Sequence, residues 1–363
     1  MSTKRNNHTQ KDKFYMKLAI NLAKKRIGLT GTNPSVGCVI VKNDTVISTG
    51  QTGLKGYPHA EVDAINNSKE NISGSSIYVS LEPCSHYGKT PPCTNAIIRA
   101  KIKKVFYGMD DIDKRSANKS YDLFKKKKIK VKRNILKNDA IDLYRSYKHN
   151  KIHAYPYIVG KIACSRDFYI TTKKRKITND QSHKVSHILR YHNNGILISS
   201  KTANYDNPHL NCRIPGLENY SPAVIIIDKN LSIKVNLNLF NNQKKIYIFY
   251  NKKNIKKYKI LRKMGVNLIK VDLKNNIMNF DKILKKIKEK QINHLLVEGG
   301  KILTNYFLSN NFFNEFYLFK SSVNLKKLGK NNILATINKL GKHFKNKQKI
   351  STYLSKDELI HYK

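Results

Sequence analysis

A chain of 363 residues, 40% of them hydrophobic, can bury two ordinary cores, which excludes a single small module. No apolar run approaches the ~18–20 residues that cross a bilayer, and five cysteines (Cys38, Cys84, Cys93, Cys164, Cys212) without a secretory signal fit a reducing, cytoplasmic setting better than a disulfide framework. The formal charge of +46 suggests nucleic acid, yet the lysines accompany asparagine and isoleucine along the whole chain, as an AT-rich coding bias produces; they form no single stripe or arm, so no specific nucleic-acid surface is expected.

Met1–Lys13 is basic and polar, without the apolar stretch of a signal peptide. Leu18, Ile20, Leu22, Ala23 and Ile27 give 14–27 helical periodicity. A strand pair follows over 37–47, turning at Asn43-Asp44, then a helix from His59, a strand at 77–81, a helix after Pro92 and a strand at 104–107. The four lysines 125–128 read as the solvated end of a helix before a strand at 129–131. Residues 1–150 therefore read as one α/β layered domain. A boundary falls near 148–155, and 151–363 read as a second domain. There the pattern alternates again: a strand at 157–163, a helix at 181–191, and strands at 195–199, 224–227 and 245–250. A helix at 254–264, a strand at 266–271, a helix at 281–289 and a strand at 294–298 follow, the last running into Gly299-Gly300. This order is that of a doubly wound sheet, which binds ligands at the carboxyl ends of its strands.

The chemistry concentrates at His59-Ala60-Glu61, Pro83-Cys84 and Cys93. One imidazole and two thiolates give a catalytic zinc three protein ligands and leave the fourth tetrahedral position to water, whose pKa the metal lowers to about 7. Glu61 is placed to shuttle protons from that water to the substrate ring nitrogen and to the departing ammonia. His-x-Glu with Pro-Cys-x-x-Cys marks zinc base deaminases, the glutamate not being a ligand; here Ser85–Pro92 separates the cysteines. Each residue alone is better read as a core histidine or cysteine, but the ordered set is not. Cys93 also follows Pro91-Pro92, consistent with a helix N-terminus whose dipole would favour a thiolate.

Together with Thr32-Asn33-Pro34-Ser35-Val36-Gly37 and His59-Ala60-Glu61, the unbroken run Glu82-Pro83-Cys84-Ser85-His86-Tyr87-Gly88-Lys89-Thr90-Pro91-Pro92-Cys93 resembles the bifunctional riboflavin-biosynthesis deaminase/reductase family. The resemblance implies a cytidine-deaminase-like three-layer domain followed by a dihydrofolate-reductase-like α/β domain. It further implies zinc-dependent deamination of a diaminopyrimidinone ribosyl phosphate, a small-molecule pyrimidine nucleotide, and then NADPH-dependent reduction of its ribosyl chain. By the same resemblance Asn33, His86, Lys89 and Thr90 hold the deaminase substrate. Arg190, Leu210, Arg213 and Glu298 hold the reductase substrate, while Lys161, Ala163, Thr202, Asp206, Gly299 and Gly300 hold NADPH.

Physical reading agrees in outline: Asp206 can relay a proton, Arg190 and Arg213 can clamp a phosphate, and Gly299-Gly300 lets backbone approach a cofactor phosphate. The resemblance also suggests a homodimer, and no membrane partner is expected. Three segments depart from the family pattern. Asp111-Ile112-Asp113 stands where the family has Asp-Pro-Asn, Ser165-Arg166-Asp167-Phe168-Tyr169 where it has Ser-Leu-Asp-Gly-Arg, and Lys176 where it has tryptophan. Since two of these departures fall on the cofactor side, a competing expectation is a monofunctional deaminase whose second half is a non-catalytic scaffold.

Overall fold

The computed structural model describes residues 8–172, 176–241 and 244–363, in two compact units, Met1–His153 and Ala154–Lys363. The polar leader read over Met1–Lys13 lies partly outside the described residues. Among those residues, no helix is long and apolar enough to cross a membrane.

In the first unit, α1 (Gln10–Lys24) starts on a reciprocal cap: Thr9 Oγ1 accepts from Asp12 N and the Asp12 carboxylate accepts from Thr9 N. Its Met16, Ala19, Ile20 and Ala23 form one buried face, which explains the periodicity read in sequence. The strands are β1 (Gly37–Lys42), β2 (Thr45–Gln51), β3 (Ser76–Val79), β4 (Lys104–Tyr107) and β5 (Lys130–Arg133). The helices between and after them are α2 (Ala60–Asn67), α3 (Cys93–Arg99), α4 (Lys119–Lys126), α5 (Lys137–Leu143) and α6 (Arg145–Ile152). Sheet order is β2-β1-β3-β4-β5, with β1 antiparallel to both neighbours and β3, β4 and β5 parallel. The β1–β2 hairpin turns at Asn43-Asp44, both at positive φ, as a two-residue loop requires.

Gly50 on β2 fixes where the catalytic helix can lie, because a Cβ there would strike the backbone of Ala60 and Ala64 in α2. The Asp63 carboxylate of the same helix accepts from Gln51 N at 2.9 Å. Gly50→Ala is expected to push α2 off the sheet and cost about 1–3 kcal/mol, the penalty of overpacking. An unchanged urea midpoint for the variant would show that α2 has slack.

The second unit opens with β6 (Tyr157–Cys164), β7 (Tyr169–Thr172), α7 (Asp180–Tyr191), β8 (Gly195–Ser199), α8 (Ser200–Asp206), β9 (Ala223–Ile227), β10 (Ile246–Tyr250), α9 (Ile255–Lys263) and β11 (Asn267–Lys270). A ribbon of β12 (Leu273–Lys274) and β13 (Ile277–Met278) leads to α10 (Phe280–Glu289), β14 (His294–Val297), α11 (Lys301–Ser309) and β15 (Glu315–Lys320). The chain ends with β16 (Gly329–Asn332), α12 (Leu334–His343), β17 (Lys347–Lys349) and β18 (Glu358–Tyr362). The main sheet runs β11-β10-β9-β8-β14-β6-β15-β18-β17. Successive residues of its central strands enter different cores. Ile158, Leu197, Ile225 and Leu295 face Ile283, Phe307 and Leu340, whereas Val159, Ile196, Ile226 and Leu296 face Ala203 and Leu261. Burial on both faces explains their unbroken Val/Ile/Leu runs.

The doubly wound expectation needs amendment at one side of this sheet. From β11 to β15 the strands are parallel, but β18 and β17 add antiparallel pairs, and β7 and β16 form a separate ribbon. Antiparallel return strands carry no helix-strand alternation for the sequence pattern to register.

Candidate active site

His59 is the N-cap of α2, Cys84 lies in the loop after β3, and Cys93 is the first residue of α3. Their ligating atoms all fall within 4.8 Å of one another. His59 Nδ1 stands 3.2 Å from Cys93 Sγ and 3.6 Å from Cys84 Sγ. Tetrahedral zinc with Zn–S and Zn–N bonds of ordinary length spans N···S edges of roughly 3.5 Å, so the donor set fits zinc in chemistry and in spacing. Cys84 Sγ accepts the Cys93 backbone N–H at 3.2 Å. The side-chain hydrogen bond with Cys93 is the chief cause holding the Cys84 thiol below the usual thiol range, against burial and with help from His59. The amide at the start of α3 therefore serves Cys84, where the sequence pointed to a thiolate on Cys93 itself.

Glu61, in the first turn of α2, is 4% exposed. Burial first, and Cys84 second, push its carboxyl up to about 7. It shares a cavity of 280 Å³ with His59 and Cys84, and Asn33, His86, Lys89 and Thr90 line the same cavity. Asn33 Nδ2 donates to Gly56 O at 3.0 Å, His86 Nδ1 meets Ser116 Oγ at 2.8 Å, and Lys89 is exposed. Asp111 and Asp113 also line the cavity. Burial raises the Asp111 carboxyl to about 6, whereas Arg115 (Nη2 at 2.7 Å) and Lys151 (2.8 Å) hold Asp113 ionised.

Sequence reasoning did not single out Arg115, Tyr147, Lys151 or the part played by Glu82. Tyr147 and Lys151 sit on α6, a short basic helix whose sequence resembles a solvated linker, and no local signal marks them.

In the second unit, Arg190 of α7 grips Glu298 with Nε to Oε1 at 2.9 Å and Nη2 to Oε2 at 3.0 Å, and donates from Nη1 to Asn211 O at 3.2 Å. Lys161 Nζ approaches Glu298 at 3.9 Å. Burial alone would raise the Glu298 carboxyl, but Arg190 and Lys161 outweigh it and hold it at about 2. Arg213 Nη1 donates to Asn211 Oδ1 at 2.8 Å, beside Leu210.

Thr202, in the first turn of α8, and Gly300, the N-cap of α11, face each other: a Cβ on Gly300 would lie 3.8 Å from Thr202 Oγ1. A Cβ on Gly299 would press on the Leu303 side chain at 3.0 Å. Both helices leave the carboxyl ends of neighbouring parallel strands, β8 and β14; Ser199 Oγ caps Thr202 N at the start of α8, whereas α11 starts at Gly300 without a side-chain cap. Ala163 lies on β6 next to Phe319 of β15, and Asp206 closes α8 with an exposed side chain.

One of the departures sits in a glycine-like turn. Phe168 adopts φ 67°, the left-handed region that suits the family's glycine, and its N–H still closes the turn on Ser165 O at 3.1 Å. Lys176 pairs with Asp180 at 3.2 Å on the surface.

Fold and site together define a zinc-dependent, cytidine-deaminase-like domain followed by a dihydrofolate-reductase-like domain. Residues 9–109 match the cytidine and deoxycytidylate deaminase zinc-binding region, and 156–333 match the RibD C-terminal domain. The riboflavin biosynthesis protein RibD of Aquifex aeolicus is 37% identical over 311 residues, 85% of this chain and 86% of that protein. RibD of Bacillus amyloliquefaciens is 31% identical over 85% of this chain and 84% of its own length. A Thermotoga maritima diaminohydroxyphosphoribosylaminopyrimidine deaminase/5-amino-6-(5-phosphoribosylamino)uracil reductase superposes with TM-score 0.79 at 26% identity, covering 97% of this chain and 98% of its own. The chain belongs to the RibD family, whose members are bifunctional deaminase/reductases of riboflavin biosynthesis using zinc and NADPH. A deaminase carrying a merely structural second half is not favoured.

Proposed function

We propose that the first unit hydrolytically deaminates diaminohydroxyphosphoribosylaminopyrimidine and the second reduces 5-amino-6-(5-phosphoribosylamino)uracil, as the Thermotoga maritima relative's description states for that enzyme. The observation that carries this reading is the convergence of His59, Cys84 and Cys93, with His59, Cys84 and buried Glu61 lining one cavity. Zinc held by His59 Nδ1 and the two thiolates supplies a Lewis acid and a water of lowered pKa. Glu61 carries protons from the attacking water to the pyrimidine ring nitrogen and then to the amino group that leaves as ammonia. Asn33, His86 and Thr90 orient the nucleotide, and Lys89, exposed at the cavity mouth, meets its phosphate.

In the second unit NADPH supplies the reducing equivalents. Lys161, Ala163, Thr202, Gly299 and Gly300 seat that cofactor, Asp206 gives the accompanying proton to the opened ribose, and Leu210, Arg213, Arg190 and Glu298 hold the substrate. Arg213, less committed than Arg190, is the stronger phosphate clamp. We also propose a homodimer, which sedimentation tests, in the cytoplasm, where the five free cysteines stay reduced.

The test supplies the purified chain with each intermediate and follows ammonia release and NADPH oxidation separately. Asp206→Asn is expected to slow NADPH oxidation by ~10²–10⁴, the range of a lost general acid, while ammonia release persists. Ammonia release by the wild type without any NADPH oxidation would overturn the roles given to the second unit.

A further inference from the structure

Glu82 immediately precedes the Pro83-Cys84 pair and is 3% exposed, yet its carboxylate is fully occupied by groups remote in sequence. Oε2 accepts from Asp111 N and from Asn118 N, both at 3.0 Å. Oε1 accepts from Ser120 N at 3.1 Å and from Ser120 Oγ at 2.8 Å. A carboxylate offers about four acceptor sites, and here each has a donor. From the geometry we infer that Glu82 is a positioning residue of the deaminase: it ties the 110–120 loop to the metal-ligand segment and so holds that loop as one wall of the substrate cavity.

The loop brings Asp111, Asp113 and Arg115 to the cavity and Ser116 to the His86 imidazole. Its internal bonds, Asp113 N to Asp111 Oδ1 and Arg115 N to Asp113 Oδ1, shape the turn but tie it to no other element. Glu82 does so at three separate points. Three of its four bonds use backbone amides, which almost any side chain permits, so the loop can change its residues and keep its place. A loop displaced by a fraction of its present position would strand donors against a buried carboxylate, which makes the arrangement all-or-none.

The inference rests on the deaminase reading and predicts a binding effect rather than a chemical one. Glu82→Gln keeps the shape but turns an amide NH₂ toward at least one backbone N–H in either orientation. In the full-length chain, KM for the diaminopyrimidine nucleotide is expected to rise about tenfold, the effect of one stranded buried donor. The kcat is expected to change less than about threefold, with zinc content retained. Glu82→Asp, which keeps the charge, should recover part of the KM. Ser120→Ala removes a single hydroxyl donor; it should raise KM by about threefold and decides the matter if Glu82→Gln does not fold. An unchanged KM in the folded variants, or a fall in kcat with loss of zinc, overturns the positioning role. A wild type that releases no ammonia overturns the deaminase reading and this role with it.

Discussion

Glu61→Gln is expected to retain zinc and to lose deamination by at least ~10²–10⁴-fold. The carboxyl is almost wholly buried in the first turn of α2 and placed by burial near neutrality, at about 7. A group with such a pKa gives and takes protons at comparable cost, which a shuttle that must first accept and then donate requires. Glutamine preserves the shape and hydrogen-bonding size of the side chain but has no exchangeable acid proton. The metal ligands, His59 Nδ1 and the two sulfurs, do not include Glu61, so metal analysis should show no change. Ammonia release at near-wild-type turnover would rule out the shuttle role.

The Cys84→Ser, Cys93→Ser pair is expected to abolish zinc binding and with it all measurable deamination. Serine hydroxyls stay protonated at neutral pH, whereas hydrogen bonds with Cys93 and His59 hold the Cys84 thiol below the usual thiol range. Removing both sulfurs leaves His59 as the sole member of the cluster, and one imidazole does not hold zinc against buffer. NADPH oxidation with the deaminated intermediate should persist, because the second unit has its own cores. Unchanged zinc content in the double variant would sink the ligand assignment.

How legible these features were depends on the range of the interaction behind them. The apolar runs of Ile, Leu and Val along 195–199 and 224–227, the helical period over 14–27 and the Asn43-Asp44 turn are local, and they fold as their sequence suggests. The zinc set was legible too, because ligation by thiolate and imidazole restricts residue type and leaves a dense motif between Glu82 and Cys93. The sequence by itself thus pointed to the zinc chemistry, to two α/β cores and to the His59, Cys84 and Cys93 set that the fold brings together.

Other features depend on side chains meeting across the fold. Arg190 and Glu298 are 108 positions apart, and the guanidinium read as a phosphate clamp commits Nε and Nη2 to that carboxylate. Glu82 reaches Ser120 across 38 positions, and Lys151 reaches Asp113 across the same separation. The antiparallel pairing of β18 with β15 likewise follows from a partner elsewhere in the chain. No hydrophobic period or residue type encodes such pairings, because their energy exists only once the backbone has closed the long loops between them.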